Sequence, residues 1–196
     1  MTASTPMTSA LTSAAAIPYL VAVALPSEWQ APEGVPIVYT GIGKLNAALT
    51  LSDAILRLRP AMVLNYGTAG AVRAGLHGMM EVASVLQRDM DAEPLAPRGV
   101  TPMHEGLHRF DSGREGVVCG TGDSFVRGPD PWFEQAGVQI VDMELYALAR
   151  TCAHHGLPWR SLKYVSDLAD ENAGRDWAAN IAAGSAAFSA WMKTAY

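Results

Sequence analysis

The sequence predicts an α/β layered domain with a mostly parallel or mixed sheet. Three observations carry this. Short β-rich runs recur that are apolar throughout rather than alternating, as expected of central strands covered on both faces. Helix-period stretches separate them. Two of the runs stop in carboxylates, Val141-Asp-Met-Glu-Leu145 and Val165-Ser-Asp-Leu-Ala-Asp170. Acids at strand ends sit at the mouth of a sheet, where small molecules bind.

The expected strands are Ile17–Leu25, Ile37–Tyr39, Met62–Tyr66, Met80–Gln87, Gly116–Cys119, Gln139–Val141 and Trp159–Val165. Lys44–Leu58 reads as a helix, with apolar residues at Leu45, Ala48, Leu49, Leu51, Ile55 and Leu58, and Pro60 ends it. Met143–His154 is a second helix, closed by Gly156 and Pro158. Ala178–Lys193, rich in small residues, is a third. Residues 1–16, rich in Ser, Thr and Ala, read as a loose tail before a single domain of residues 17–196. Residues 88–115 are rich in Pro, Gly and charge and read as a long loop, which in a compact domain is often functional.

Composition narrows the function classes. At 196 residues the chain suits one domain that buries roughly 70% of its unfolded surface. Apolar residues make up 49% and charged residues 17%, which suggests that a partner subunit covers some apolar surface. The net charge of −5, with no basic tract, argues against nucleic acid as a partner. No apolar run is long enough to span a membrane. Leu11–Leu25 resembles a signal core, but no Lys or Arg precedes Lys44. Two cysteines cannot build a disulfide framework, and they fit a reducing cytoplasm.

Several segments have the residue types for chemistry. Gly41-Ile-Gly-Lys44 opens a helix like half of a phosphate loop, but the full spacing is absent, and a tight turn explains it as well. Gly67-Thr-Ala-Gly70 follows a strand and would let a ligand approach backbone amides, or form a plain glycine turn. Phe125, after the turn Gly120-Thr-Gly-Asp-Ser124, would stack on a flat base or plug the core. Glu144, near a helix start, would stay ionised and could accept two adjacent hydroxyls; as a bland alternative it is a first-turn acid. Asp167, partly dry at a strand end, could act as an acid of raised pKa or simply cap a turn. Cys152 with His154 and His155 provides too few ligands for a zinc site, so no metal is expected.

Taken in order, Gly41-Ile-Gly-Lys-Leu-Asn-Ala-Ala48, Asn65-Tyr-Gly-Thr-Ala-Gly70, Thr121-Gly-Asp-Ser-Phe125, Val141-Asp-Met-Glu144 and Ser166-Asp-Leu-Ala-Asp170 resemble the purine nucleoside phosphorylase/nucleosidase superfamily. The resemblance is strongest to its 5′-methylthioadenosine/S-adenosylhomocysteine nucleosidase branch and runs from about Tyr19 to Asp170. It implies a three-layer αβα domain around a mixed, partly barrel-like sheet. It also implies a homodimer or higher oligomer, a small purine nucleoside as ligand, and no cofactor. Position by position, Asp167 would protonate N7 of the leaving purine and Ser166 would orient it. Glu144 would bind the ribose diol, with Met143 against the sugar. Phe125 would stack on the base and the Val126 backbone would read its edge. Thr68 would lie near the ribose and nucleophile. Glu28, in the least similar segment, would activate water.

Two departures bear on the expected chemistry. The phosphorylase branch has a cationic phosphate cradle, yet no Lys or Arg occurs between Pro18 and Gly43, so water is the expected nucleophile. The chain is also shorter than typical members between Gln87 and Gly116, where the family lines the 5′ side of the sugar. Arg88 could meet a polar 5′ group there, although a surface ion pair with Asp89 or Asp91 is the simpler expectation. The expected activity is hydrolysis of a purine nucleoside. Phosphorolysis, or nucleoside binding with little catalysis, are the alternatives.

Overall fold

The computed structural model describes residues 16–170 and 173–195. All but the last residue of the expected 1–16 tail lies outside the described residues. Among the described residues eight strands share one sheet. They are β1 (Leu20–Val23), β2 (Ile37–Tyr39), β3 (Val63–Ala71), β4 (Gly78–Gln87), β5 (Arg109–Asp111), β6 (Val117–Thr121), β7 (Ile140–Asp142) and β8 (Trp159–Asp167). Among the described residues four helices accompany them: α1 (Lys44–Leu58), α2 (Pro131–Gln135), α3 (Leu145–His154) and α4 (Ala173–Ala195).

The sheet closes on itself. β3 pairs with β8 in parallel and β8 with β4 antiparallel. β4 pairs with β6 and β6 with β7, both in parallel, and β7 returns antiparallel to β3. β1 and β2 extend from β3 in parallel, and β5 lies on β4. The sheet is therefore mixed and barrel-like, as the resemblance implied.

The three layers follow from strand alternation. On β1, Leu20 and Ala22 face the cluster built with Ala47 and Leu51 of α1 and Leu145 and Leu148 of α3. Val21 and Val23 face the opposite way, onto Trp29 and onto Phe188 and Met192 of α4. Both faces are dry, which is why these runs are apolar without alternation. α1 turns inward the face bearing Ala47, Leu51, Ala54 and Ile55. The other apolar positions of the expected stripe, Leu45 and Leu49, are 71% and 61% exposed. Arg59 adopts a left-handed conformation and its N–H bonds to Ile55, which ends α1 before Pro60.

Several boundaries differ from expectation for definite reasons. β3 runs on through Gly67–Gly70, so that segment is strand rather than turn; β8 pairs with it as far as Gly70. β8 likewise continues to Asp167. α4 starts five residues before the expected Ala178. The long loop 88–115 contains a 3-10 turn at Glu105–Leu107 and the edge strand β5. α2 was not anticipated; Asp130 caps it by accepting from the Trp132 N–H at 3.0 Å, with Pro131 in its first turn.

Candidate active site

β3 changes partners along one edge. β1 covers that edge at Val63–Asn65 and β7 covers it at Gly70–Ala71. Between them the edge is open, and a backbone donor there needs another acceptor. Glu28 supplies it: Oε1 accepts from the Thr68 N–H at 3.0 Å and from the Thr68 hydroxyl at 2.7 Å. Oε2 accepts the Leu25 N–H at 3.3 Å. Glu28 is only 5% exposed although it lies in a turn.

Across β3, the pairing with β8 slips after Ala69. Ala69 pairs with Val165 and Gly70 with Asp167, leaving Ser166 as the extra residue. Such a bulge re-aims the side chain beyond it. The Ser166 hydroxyl donates to Asp167 Oδ2 at 2.8 Å, and the Ala169 N–H donates to Oδ1 at 2.9 Å. A Cβ on Gly70 would lie 2.6 Å from Asp167 Oδ1, so only glycine leaves this room.

The third carboxylate stands at the start of α3. Glu144 Oε1 accepts from the Gly43 N–H at 2.9 Å. Gly43 has φ of 90°, a left-handed conformation that aims this amide at Glu144 and that only glycine adopts easily. The next amide, of Lys44, donates to Asp123 at 2.8 Å. The Gly41–Lys44 turn thus serves the chain's own carboxylates.

Glu144 does not cap α3 with its side chain; Asp142 does, accepting from the Glu144 and Leu145 N–H groups at 3.3 and 2.8 Å. Beneath them Lys163 is buried and its ammonium lies 2.8 Å from Asp142 Oδ2. Burial pushes the Asp142 carboxyl up, but the Lys163 charge and donors from Lys163 and Thr121 outweigh it and hold it below its ordinary value. Burial disfavours the Lys163 ammonium, yet Asp142 raises it above an ordinary lysine. Among the described residues no cation contacts Glu144 directly, and Lys163 and the Gly43 N–H offset only part of its penalty. Burial first, and the Asp142 charge second, push its carboxyl up to about 7. The expectation that a helix start would keep Glu144 ionised is thereby corrected: Asp142 takes the helix amides, and desolvation governs Glu144.

One cavity of about 250 Å³ joins these groups. Glu28, Thr68, Glu144, Ser166 and Asp167 border it, and so do Met143, Phe125 and Val126. All eight residues singled out from the sequence thus meet at one place. Phe125 is 51% exposed, presenting its ring at the mouth rather than plugging the core.

Arg88 departs from expectation. It is buried and forms no surface ion pair with Asp89 or Asp91. Its Nη2 donates to Gly122 O at 2.9 Å and also to Ser124 O, holding the turn that precedes Phe125. Asp89 instead accepts from Lys44 and from the Asp123 N–H. Lys163, Trp177 and Asn180 were not anticipated. The signal for Lys163 was a cation in the middle of the strand run Trp159–Val165, which also holds Arg160. Trp177 and Asn180 fell near the mistaken start of α4. Among the described residues, no group of three His, Cys, Asp or Glu side chains is placed to hold a metal ion.

A closed, mixed sheet with carboxylates converging on one cavity defines a nucleoside phosphorylase-like α/β protein. The chain belongs to the phosphorylase superfamily, whose family model matches residues 32–194. A 5′-methylthioadenosine/S-adenosylhomocysteine nucleosidase of Exiguobacterium sp. is 31% identical over 162 residues, covering 71% of this chain and 70% of that protein. The protein of the same name from Actinobacillus succinogenes is 28% identical over 165 residues, covering 72% and 71%. The fold is that of the Helicobacter pylori nucleosidase of this name, with a TM-score of 0.77 at 20% identity over 92% of this chain and 98% of that one. It is equally that of the futalosine hydrolase of Helicobacter pylori, with a TM-score of 0.77 at 21% identity over 89% and 95%.

Proposed function

We propose that this protein is a purine nucleosidase that hydrolyses the N-glycosidic bond of a 5′-methylthioadenosine/S-adenosylhomocysteine-type nucleoside to free base and ribose derivative. One observation carries the reading: three carboxylates, Glu28, Glu144 and Asp167, from three separate elements border one cavity. The named relatives support the same reaction class.

Each acid has a distinct task in this scheme. Cleavage passes through an oxocarbenium-like sugar, and the purine leaves poorly as an anion. Asp167, held by Ser166 and Ala169, gives a proton to N7 as the bond from C1′ to N9 breaks. A general acid typically contributes about 10²–10⁴-fold. Glu144, ionised, accepts from the ribose diol, and Met143 lies against the sugar. Phe125 stacks on the base and the Val126 backbone reads its edge. Water attacks C1′ and passes its proton to Glu28, whose Oε1 is already engaged by Thr68.

The unit that does this is residues 17–196, read as one domain because a single sheet joins its strands. A homo-oligomer is part of the proposal, supported by the exposed α1 residues Leu45, Leu49 and Leu56. So is a cytoplasmic setting, supported by two buried free cysteines, Cys119 and Cys152. Among the described residues no helix is long and apolar enough to cross a membrane. The test is a panel of purine nucleosides with varied 5′ groups, scored for free base with and without phosphate. Base release without phosphate supports hydrolysis; strict phosphate dependence transfers the reading to phosphorolysis, and binding without turnover to a binding module.

A further inference from the structure

Glu28 lies in a turn, where no ladder of backbone bonds fixes a side chain. Its orientation depends on the groups that bond to its two oxygens. Oε1 accepts both the N–H and the hydroxyl of Thr68. The hydroxyl has one proton, and it is directed by a further contact: Trp177 Nε1 lies 2.8 Å from Thr68 Oγ1. An indole N–H only donates, so Thr68 must accept there and give its own proton to Glu28. The chain of donors therefore runs one way, from Trp177 through Thr68 to Glu28 Oε1. Oε2 faces only the longer 3.3 Å contact from Leu25 among the described residues, and it is the oxygen with capacity for water.

The placement of α4 supports this. Ala173, Trp177 and Asn180 fall at i, i+4 and i+7, on one helix face. Ala173 and Trp177 border the cavity, and Asn180 donates to Ser166 O at 2.8 Å. One helix face thus fixes β3 at Thr68 and β8 beside Asp167.

We propose that Trp177 is a positioning residue that acts through Thr68 to set which oxygen of Glu28 receives the water proton. The proposal rests on the hydrolytic reading above. Trp177→Phe keeps an aromatic ring and removes the donor. Loss of this half-buried hydrogen bond is expected to lower kcat about five- to ten-fold, with KM changed less than about two-fold. In a Thr68→Val background the same substitution should cost less than about two-fold, because the route to Glu28 is already cut. Wild-type kcat in Trp177→Phe, or losses that simply multiply in the double variant, would overturn the proposal.

A readout without turnover separates this from the functional reading. In a ¹H–¹⁵N spectrum of the indole groups, Trp177→Phe assigns the Trp177 resonance among the five tryptophans. Glu28→Gln should then shift that resonance while the remote Trp132 resonance stays fixed. An unmoved Trp177 resonance overturns the relay whether or not base is released. A shifted resonance in a protein that releases no base sinks only the nucleosidase reading.

Discussion

Gly70 on β3 and Asp167 on β8 stand opposite each other, and a methyl group on Gly70 would lie 2.6 Å from Asp167 Oδ1. The glycine is there for the acid's sake: its backbone is not left-handed, so alanine is conformationally admissible. Gly70→Ala should therefore displace Asp167 without unfolding the chain. We expect kcat to fall about 100-fold, within the range of a lost general acid, while the far-ultraviolet circular dichroism stays unchanged. Retained kcat would show that Asp167 does not need that position.

Glu144 makes the site pH-sensitive in a definite direction. Its carboxyl is raised from the ordinary value near 4.5 up to about 7, so the folded chain holds this proton more tightly than the unfolded chain. The group favours folding when protonated, and that contribution is lost as pH rises through the window from 4.5 to about 7. Glu144→Gln should flatten this slope, a change on the order of 2 kcal/mol across the window in urea titrations. A diol recruits the ionised form, so KM should fall as pH rises through about 7, with proton release on binding seen as a buffer-dependent heat. A pH-independent KM would remove Glu144 from the sugar.

Lys163 and Asp142 form a buried pair in which each charge depends on the other. Lys163→Met leaves Asp142 uncompensated in a dry site. The expected cost is about 3–5 kcal/mol in the urea midpoint analysis. Adding Asp142→Asn should restore part of it, because the orphaned charge is gone. A single-variant cost below about 1 kcal/mol would contradict this.

Much of this was readable from residue order. Continuous apolar runs gave the buried strands, since both faces of β1 and β3 are covered. The resemblance, including its weakest match at Glu28, gave eight residues that all border one cavity. What escaped was set by tertiary contacts. Glycines weaken strand propensity, so Gly67–Gly70 read as a turn until β8 and Asp167 explained it. α4 begins near Gly174, a poor helix former, and its start was therefore placed too late, which left Trp177 outside the expected helix. Arg88 read as a surface charge because no local pattern reveals that its guanidinium reaches the carbonyls of Gly122 and Ser124, more than thirty residues on.

The most direct test is to incubate 5′-methylthioadenosine in phosphate-free buffer with the wild-type chain and with Asp167→Asn, and to quantify free adenine. The account predicts adenine from the wild type and a rate lower by about 10²–10⁴-fold from the variant. Release that requires phosphate, or equal release by both proteins, would contradict it.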